Sequence, residues 1–182
     1  MALLAAVLAL PATARELPPT PQTTLEALFT PGDAIDVKLA ALIDNAKREV
    51  LVSAFSFTNR RIARALAAAH ARGVHVEVVA DRAQTFELPG SAVSLLAQEG
   101  VAVWLDGNFA AAHNKVIVID ADSAEAIVVT GSYNYTTAAQ TRNAENVLIV
   151  RRETALARQY RANFMRLRDR AQRYGGDTVS RR

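Results

Sequence analysis

The chain has 182 residues, 51% of them hydrophobic and 21% charged, a balance that fits one globular domain of roughly 150 residues. It has no cysteine and three scattered histidines, which excludes a disulfide framework, a thiolate metal site and a histidine-rich metal cluster. The net charge of +3 hides a segregation: residues 151–182 hold ten Arg and three acids (+7), whereas residues 1–150 hold 11 basic and 15 acidic residues (−4). A basic end of this kind suits a polyanionic partner or a solvated helix face.

Residues 2–10 form an apolar run, followed by Pro11-Ala12-Thr13-Ala14. An apolar stretch ending in Ala-x-Ala predicts an export leader cleaved after Ala14, hence a periplasmic or secreted protein. The run is too short to span a bilayer, so no stable membrane insertion is expected. Residues 15–29 read as a lead-in whose Pro18, Pro19 and Pro21 make an extended linker. The domain is expected over 30–174, with 175–182 as a loose tail.

Within the domain, Ile35, Leu39, Leu42 and Ile43 make one face of a helix over about 34–47. Glu49 to Phe57 reads as a strand. Asn59 is a suitable N-cap for a helix from Arg60 to Arg72, and Gly73 stands where a helix-ending glycine would. Val74 to Ala80 is a second strand, a helix near 90–98 closes at Gly100, and Val101 to Leu105 is a third strand. This alternation predicts an α/β fold: a mixed, mostly parallel sheet flanked by helices on both faces. Asp106-Gly107-Asn108 is a turn. Val116–Ile119 and Ala126–Thr130 are strands separated by a polar loop; Asn134–Arg142 is a short helix or loop, and Val147–Val150 is the last strand. Leu156, Tyr160, Phe164, Leu167, Ala171 and Tyr174 recur at helical spacing and predict a helix over 153–174, with arginines on its outer side.

The chemistry concentrates between residues 113 and 146. His113 and Lys115 precede the apolar run Val116–Ile119, and alternate strand residues share a side, so imidazole and ammonium would project together. A fold does not need such a pair; a phosphate does. His113-x-Lys115, four residues, Asp120, then Gly131-Ser132-x-Asn134 resembles the signature of the phospholipase D superfamily, and Glu145 fits its later acidic position. Thr30-Pro31, Ala54-Phe55-Ser56-Phe57 and Ala71-Arg72-Gly73-Val74 also resemble the family's upstream half. The likeness covers residues 28 to 165 and is strongest to the small, exported, single-motif Nuc-type bacterial endonucleases. A mitochondrial branch acting on cardiolipin or RNA is more distant. Ten residues separate Asp120 from Gly131, more than in many members, which reads as a longer hairpin loop.

The resemblance implies cleavage of a phosphodiester, and the residue types fit that chemistry. His113 is the expected nucleophile, forming a phosphohistidine that water later hydrolyses. Lys115 would hold a non-bridging oxygen, Asn134 would donate to the same phosphate, and Ser132 would hydrogen-bond that phosphate or a neighbouring side chain. Gly131 allows either a close backbone approach or a tight turn. Glu145 is expected to hydrogen-bond the far nitrogen of His113. Asp120 is either a support away from the phosphorus or a turn residue. Asn146 and Thr136 are supporting candidates, and His70 and His75 read as structural. Arg158 and Arg161 on the C-terminal helix are candidate phosphate contacts.

One motif per chain leaves the leaving group without an acid. The single-motif relatives imply a homodimer in which a second His113 supplies it. No cofactor and no metal are expected, and activity should survive EDTA. The substrate is expected to be nucleic acid, DNA with RNA also open, cleaved without sequence preference. Two alternatives remain: a phospholipase D or cardiolipin hydrolase, with Phe86, Leu88 and Phe109 as an apolar rim, and a non-catalytic nucleic-acid-binding module.

Overall fold

A computed structural model describes residues 22–175. The leader-like segment, Pro18, Pro19, Pro21 and residues 176–182 lie outside the described residues. In chain order the elements are β1 (Thr24–Thr30), α1 (Ile35–Asp44), β2 (Glu49–Ala54), α2 (Arg60–Ala71), β3 (His75–Asp81), α3 (Arg82–Glu87) and α4 (Val93–Gln98). They continue with β4 (Ala102–Asp106), β5 (Lys115–Ile119), β6 (Ile127–Gly131), α5 (Thr137–Thr141), β7 (Glu145–Arg151), α6 (Thr154–Arg168) and β8 (Gln172–Arg173).

All eight strands form one sheet in the order β1-β7-β6-β5-β2-β3-β4-β8. Period-two alternation sends their apolar residues to opposite faces. Val50, Val52, Ile117, Val129 and Ile149 pack under α1, α2 and α4 through Ile35, Leu39, Ile62, Leu66 and Leu96. On the other face Leu51, Val79, Val118, Val128 and Val150 pack against Ala157 and Phe164 of α6. The helix α2 starts as its sequence predicts. The Asn59 side chain accepts hydrogen bonds from the Arg61 and Ile62 amides, and Gly73 beyond the helix end has φ 87°.

The mixed sheet with helices on both faces matches the expectation, but its strands are not mostly parallel. Parallel pairing is confined to β2–β3 and β3–β4. The other five adjacent pairs are antiparallel. The physical reason is that β5 and β6 are joined by a loop alone, with no helical crossover to return the chain to the same end, and only α5 intervenes before β7.

Two boundaries also move. Residues 24–29, assigned to the lead-in, belong to β1, an edge strand paired along its length with β7. At the other end, the helix expected to reach 174 stops at Arg168. The chain then turns so that Gln172–Arg173 pairs with β4, and the Tyr174 amide donates to the Val103 carbonyl at 2.9 Å. Tyr174 packs against the α1/α2 side of the core, not the α6 side, so its helical spacing from Leu167 was coincidental.

Candidate active site

Strand directions bring the signature residues other than Asp120 to one end of the sheet. Lys115 opens β5 opposite Ala54, the last residue of β2; Gly131 closes β6 opposite Val147, and Glu145 opens β7 opposite Thr30. Asp81 and Asp106 finish the parallel strands β3 and β4 at this same end.

His113 lies just ahead of β5 and is exposed. Its ring meets the Phe55 ring edge-on, with centroids 4.5 Å apart and planes at 60°. The preceding amide, Ala112 N–H, donates at 2.8 Å to the buried carboxylate of Asp81, which also caps α3 through the Gln84 amide. Among the described residues nothing hydrogen-bonds the His113 ring, so both ring nitrogens are available. Lys115 is only 6% exposed. Its Nζ donates to the His113 backbone carbonyl at 2.9 Å and sits 4.9 Å from the centroid of Phe55. Burial pushes the Lys115 ammonium's pKa below its usual value, with the negative charge of Glu145 acting against that shift. Imidazole and ammonium therefore share one aromatic support, as strand alternation predicted.

The second half of the site is a braced turn. A Cβ at Gly131 would come 2.2 Å from the Asn146 carbonyl oxygen, so of the two readings of this glycine the close backbone approach holds. That contact lets the amides of Ser132 and Tyr133 both donate to the same carbonyl, at 3.1 and 3.3 Å. Ser132 Oγ donates to Glu145 Oε2 at 2.6 Å and accepts from the Asn146 amide at 3.0 Å. Asn143 donates to Glu145 Oε1 at 2.9 Å. Asn134 is half-buried, and its Oδ1 is buried with no partner. That oxygen can only accept; the group free to serve a phosphoryl oxygen is the Nδ2 donor, which makes no hydrogen bond among the described residues.

Not every candidate residue joins this site. Glu145 does not bond His113: β6 lies between β7 and β5, which separates their strands by about 10 Å. Its carboxylate is taken by Ser132 and Asn143 instead. Asp120 is at the far end of β5, about 17 Å along a five-residue strand. Its carboxylate accepts from the amides of Lys47, Arg48 and Glu49, bracing the start of β2 in a left-handed turn with φ 50°. Arg158 and Arg161 are at that far end too, paired with Asp122 and Glu49. They do not line the His113 site. Thr136 caps α5. His75 is at the opposite end of β3, beside Glu77, and His70 is in the last turn of α2; neither joins the site. Phe55 and Asp81 carry weight that the sequence reading did not give them. Phe55 stands just past the end of β2 and Asp81 ends β3, and only the strand order brings either to His113.

The family model described as "Cardiolipin synthase, PLD-like domain" matches residues 39–168. The chain belongs to the phospholipase D superfamily. It is 34% identical over 144 residues to a phospholipase D of Rickettsia bellii, covering 79% of this chain and 69% of that one. It is 32% identical over 159 residues to a mitochondrial cardiolipin hydrolase of Xenopus laevis, covering 82% and 73%. Among solved structures, the phospholipase D family member Nuc from Salmonella typhimurium superposes with a TM-score of 0.77 at 29% identity, covering 84% of this chain and 99% of that one. As a member of this superfamily the chain is a phosphodiester hydrolase. No helix among its described residues is long and apolar enough to cross a membrane.

Proposed function

We propose that this phospholipase D-like chain is a sequence-nonspecific endonuclease that cleaves DNA through a covalent phosphohistidine, with RNA left open as a second substrate. The observation that carries the reading is His113 itself: exposed, with no hydrogen bond to its ring, and fixed beside the buried ammonium of Lys115. One ring nitrogen of His113 attacks the phosphorus, forming an N–P bond as the P–O bond to the leaving group breaks. Lys115 and the Asn134 amide take the charge that develops on the phosphoryl oxygens. Glu145 holds Ser132 in place, and its charge offsets the cost of keeping Lys115 protonated. A second imidazolium protonates the leaving oxygen; it then removes a proton from water, which attacks phosphorus and breaks the N–P bond.

That second group is the His113 of another copy. The exposed side chains Leu25, Phe29 and Leu148 support this pairing. Leu25, Ala27 and Phe29 alternate on one face of β1, Leu148 is the register partner of Ala27, and Asn146 is that of Phe29. The apolar stripe thus runs along the β1 edge up to the Ser132–Asn146 turn, where a symmetric partner would complete the site.

Nucleic acid is favoured over lipid by the likeness to Nuc along nearly all of that chain. It is also favoured by Arg60 and Arg64, which have no acidic partner among the described residues, whereas Arg61 is paired with Asp36. All three arginines line a groove between α1 and α2, shared with Asp36 and Asp44, that runs back from the end of the sheet where His113 lies. The second reading, hydrolysis of phospholipid, draws on relatives named phospholipase D and mitochondrial cardiolipin hydrolase. Export is part of the first reading and rests on residues 2–14. The test is incubation of purified protein, and of His113→Ala, with plasmid DNA and with labelled phospholipid, both in EDTA. Cleavage of DNA but not lipid by the unsubstituted protein is expected; the reverse selects the lipid reading.

A further inference from the structure

A pocket of about 600 Å³ opens beside the active site, at the ends of β3 and β4. Asp81, Arg82, Phe86, Asp106 and Phe109 line it. It is physically tied to the catalytic loop: Asp81 holds the Ala112 amide next to His113, and Phe109 belongs to the segment between β4 and β5 that carries His113. Along the sheet edge β3 and β4 are two and three strands from β5, or about 10 and 15 Å. The pocket is therefore placed for a group next to the scissile phosphate, not for that phosphate.

Its lining has two parts. The rim carries two phenyl rings, Phe86 at 44% and Phe109 at 50% exposure. A single exposed phenylalanine needs no explanation, but two lining one pocket beside a reactive histidine give it an apolar rim. Beneath the rim lie polar atoms that are incompletely paired and covered by their own side chains. Asp106 is 1% exposed; its Oδ1 accepts from the amide and side chain of Asn108 at 2.9 and 3.0 Å, whereas Oδ2 is buried with no partner. Arg82 Nε is likewise buried and unpartnered. A buried acceptor and a buried donor, both unused, are costly features that packing alone does not account for.

We propose that this pocket binds the unpaired base of a nucleotide flanking the cleaved bond, making single-stranded nucleic acid the preferred substrate. This deepens the nuclease reading and rests on it. A base presents flat faces that stack on phenyl rings, and an edge with a hydrogen-bond donor beside an acceptor. Rotation of the half-exposed Arg82 side chain, whose stem lies against Gly107, brings that edge to Asp106 Oδ2 and Arg82 Nε. An acyl chain would fill the rim and leave these polar atoms unpaired. In a duplex the faces and edges of the bases are already engaged, so the pocket selects for single strands.

The test measures cleavage in EDTA of a single-stranded oligonucleotide, its duplex, and single strands carrying one abasic site stepped past the cleaved bond. The proteins compared are the unsubstituted chain, Phe109→Ala and Phe86→Ala. Both side chains are exposed, and a thermal melt checks that the variants fold. A KM for the single strand at least about ten-fold below that for the duplex is expected, and Phe109→Ala should raise it about ten-fold. An abasic site at one flanking position should raise KM similarly, and the two changes together should cost less than their product. If the unsubstituted protein cleaves DNA but neither the phenylalanine substitutions nor any abasic site changes KM, the pocket proposal is overturned and the nuclease reading stands. If it cleaves no oligonucleotide but hydrolyses phospholipid vesicles, and Phe109→Ala weakens that activity, both fall.

Discussion

Lys115 donates its ammonium to the backbone carbonyl of His113 at 2.9 Å while lying almost wholly buried against Phe55. The lysine thus holds the nucleophile's backbone and keeps a positive charge beside it. Burial is opposed to that charge, and the sign of the opposition is testable. A lysine whose folded pKa is lowered binds fewer protons folded than unfolded between that value and the ordinary 10.5. Its destabilising effect is present in full below the folded pKa and is relieved as pH rises through it. Lys115→Met should therefore lower kcat by on the order of 10²–10³ while leaving the melting temperature at neutral pH unchanged or raised. Paired melting and turnover measurements check this; a large drop in melting temperature would mean that the charge stabilises the fold.

Asp120, although part of the signature, should behave as a structural residue. Its carboxylate serves three amides at the start of β2, and its φ of 50° is one that asparagine tolerates better than alanine. Asp120→Ala should cost about 1–3 kcal/mol of stability in denaturant titration. Turnover by the folded fraction should stay within a few-fold of the unsubstituted protein. A selective collapse of kcat at full stability would return Asp120 to the catalytic machinery.

The salt dependence of DNA binding should map to α2, not α6. Arg158 and Arg161 are engaged by Asp122 and Glu49 at the far end of the sheet, whereas Arg60 and Arg64 are exposed in the first turns of α2, which starts at the His113 end, without acidic partners among the described residues. Each arginine contacting a phosphate contributes roughly 0.7–0.9 to the slope of log affinity against log salt. Replacing Arg60 and Arg64 by Ala should flatten the slope by that amount for each. Arg158→Ala should leave it as it was, and the opposite pattern would restore α6 as the substrate surface.

Assembly should depend on the β1 edge. Phe29→Glu or Leu148→Glu places a charge in the exposed apolar stripe without disturbing a buried position. Sedimentation should then show a folded monomer, with activity reduced by at least ten-fold at concentrations where the unsubstituted chain is dimeric. A fully active monomer would remove the second His113 from the mechanism.

How much of this was legible beforehand varies with how local the signal is. Asn59 and Gly73 punctuate α2 in sequence as they do in space, and His113-x-Lys115 projects as strand alternation requires. The edge strand β1 was obscured because its face is not a clean apolar alternation toward the core: Leu25 and Phe29 point to solvent. The partner of Glu145 was misread because it depends on strand order. Nothing in the spacing says that β6 separates β7 from β5. The same holds for Arg158 and Arg161 of α6, which the fold sets beside Asp122 and Glu49, a strand length from His113. Asp81 is the converse case: 31 residues before Ala112 in sequence, it fixes the loop that presents His113.

The central claim is that His113 carries the phosphoryl group during the reaction. Its most direct measurement is a single-turnover reaction of excess protein with DNA in EDTA, quenched rapidly at alkaline pH and read by peptide mass spectrometry. A DNA-phosphate adduct on His113 that forms and decays with the cleavage, and is absent from His113→Ala, is the predicted result. Cleavage that proceeds at full rate without any adduct, or that stops in EDTA and returns with a divalent ion, would contradict it.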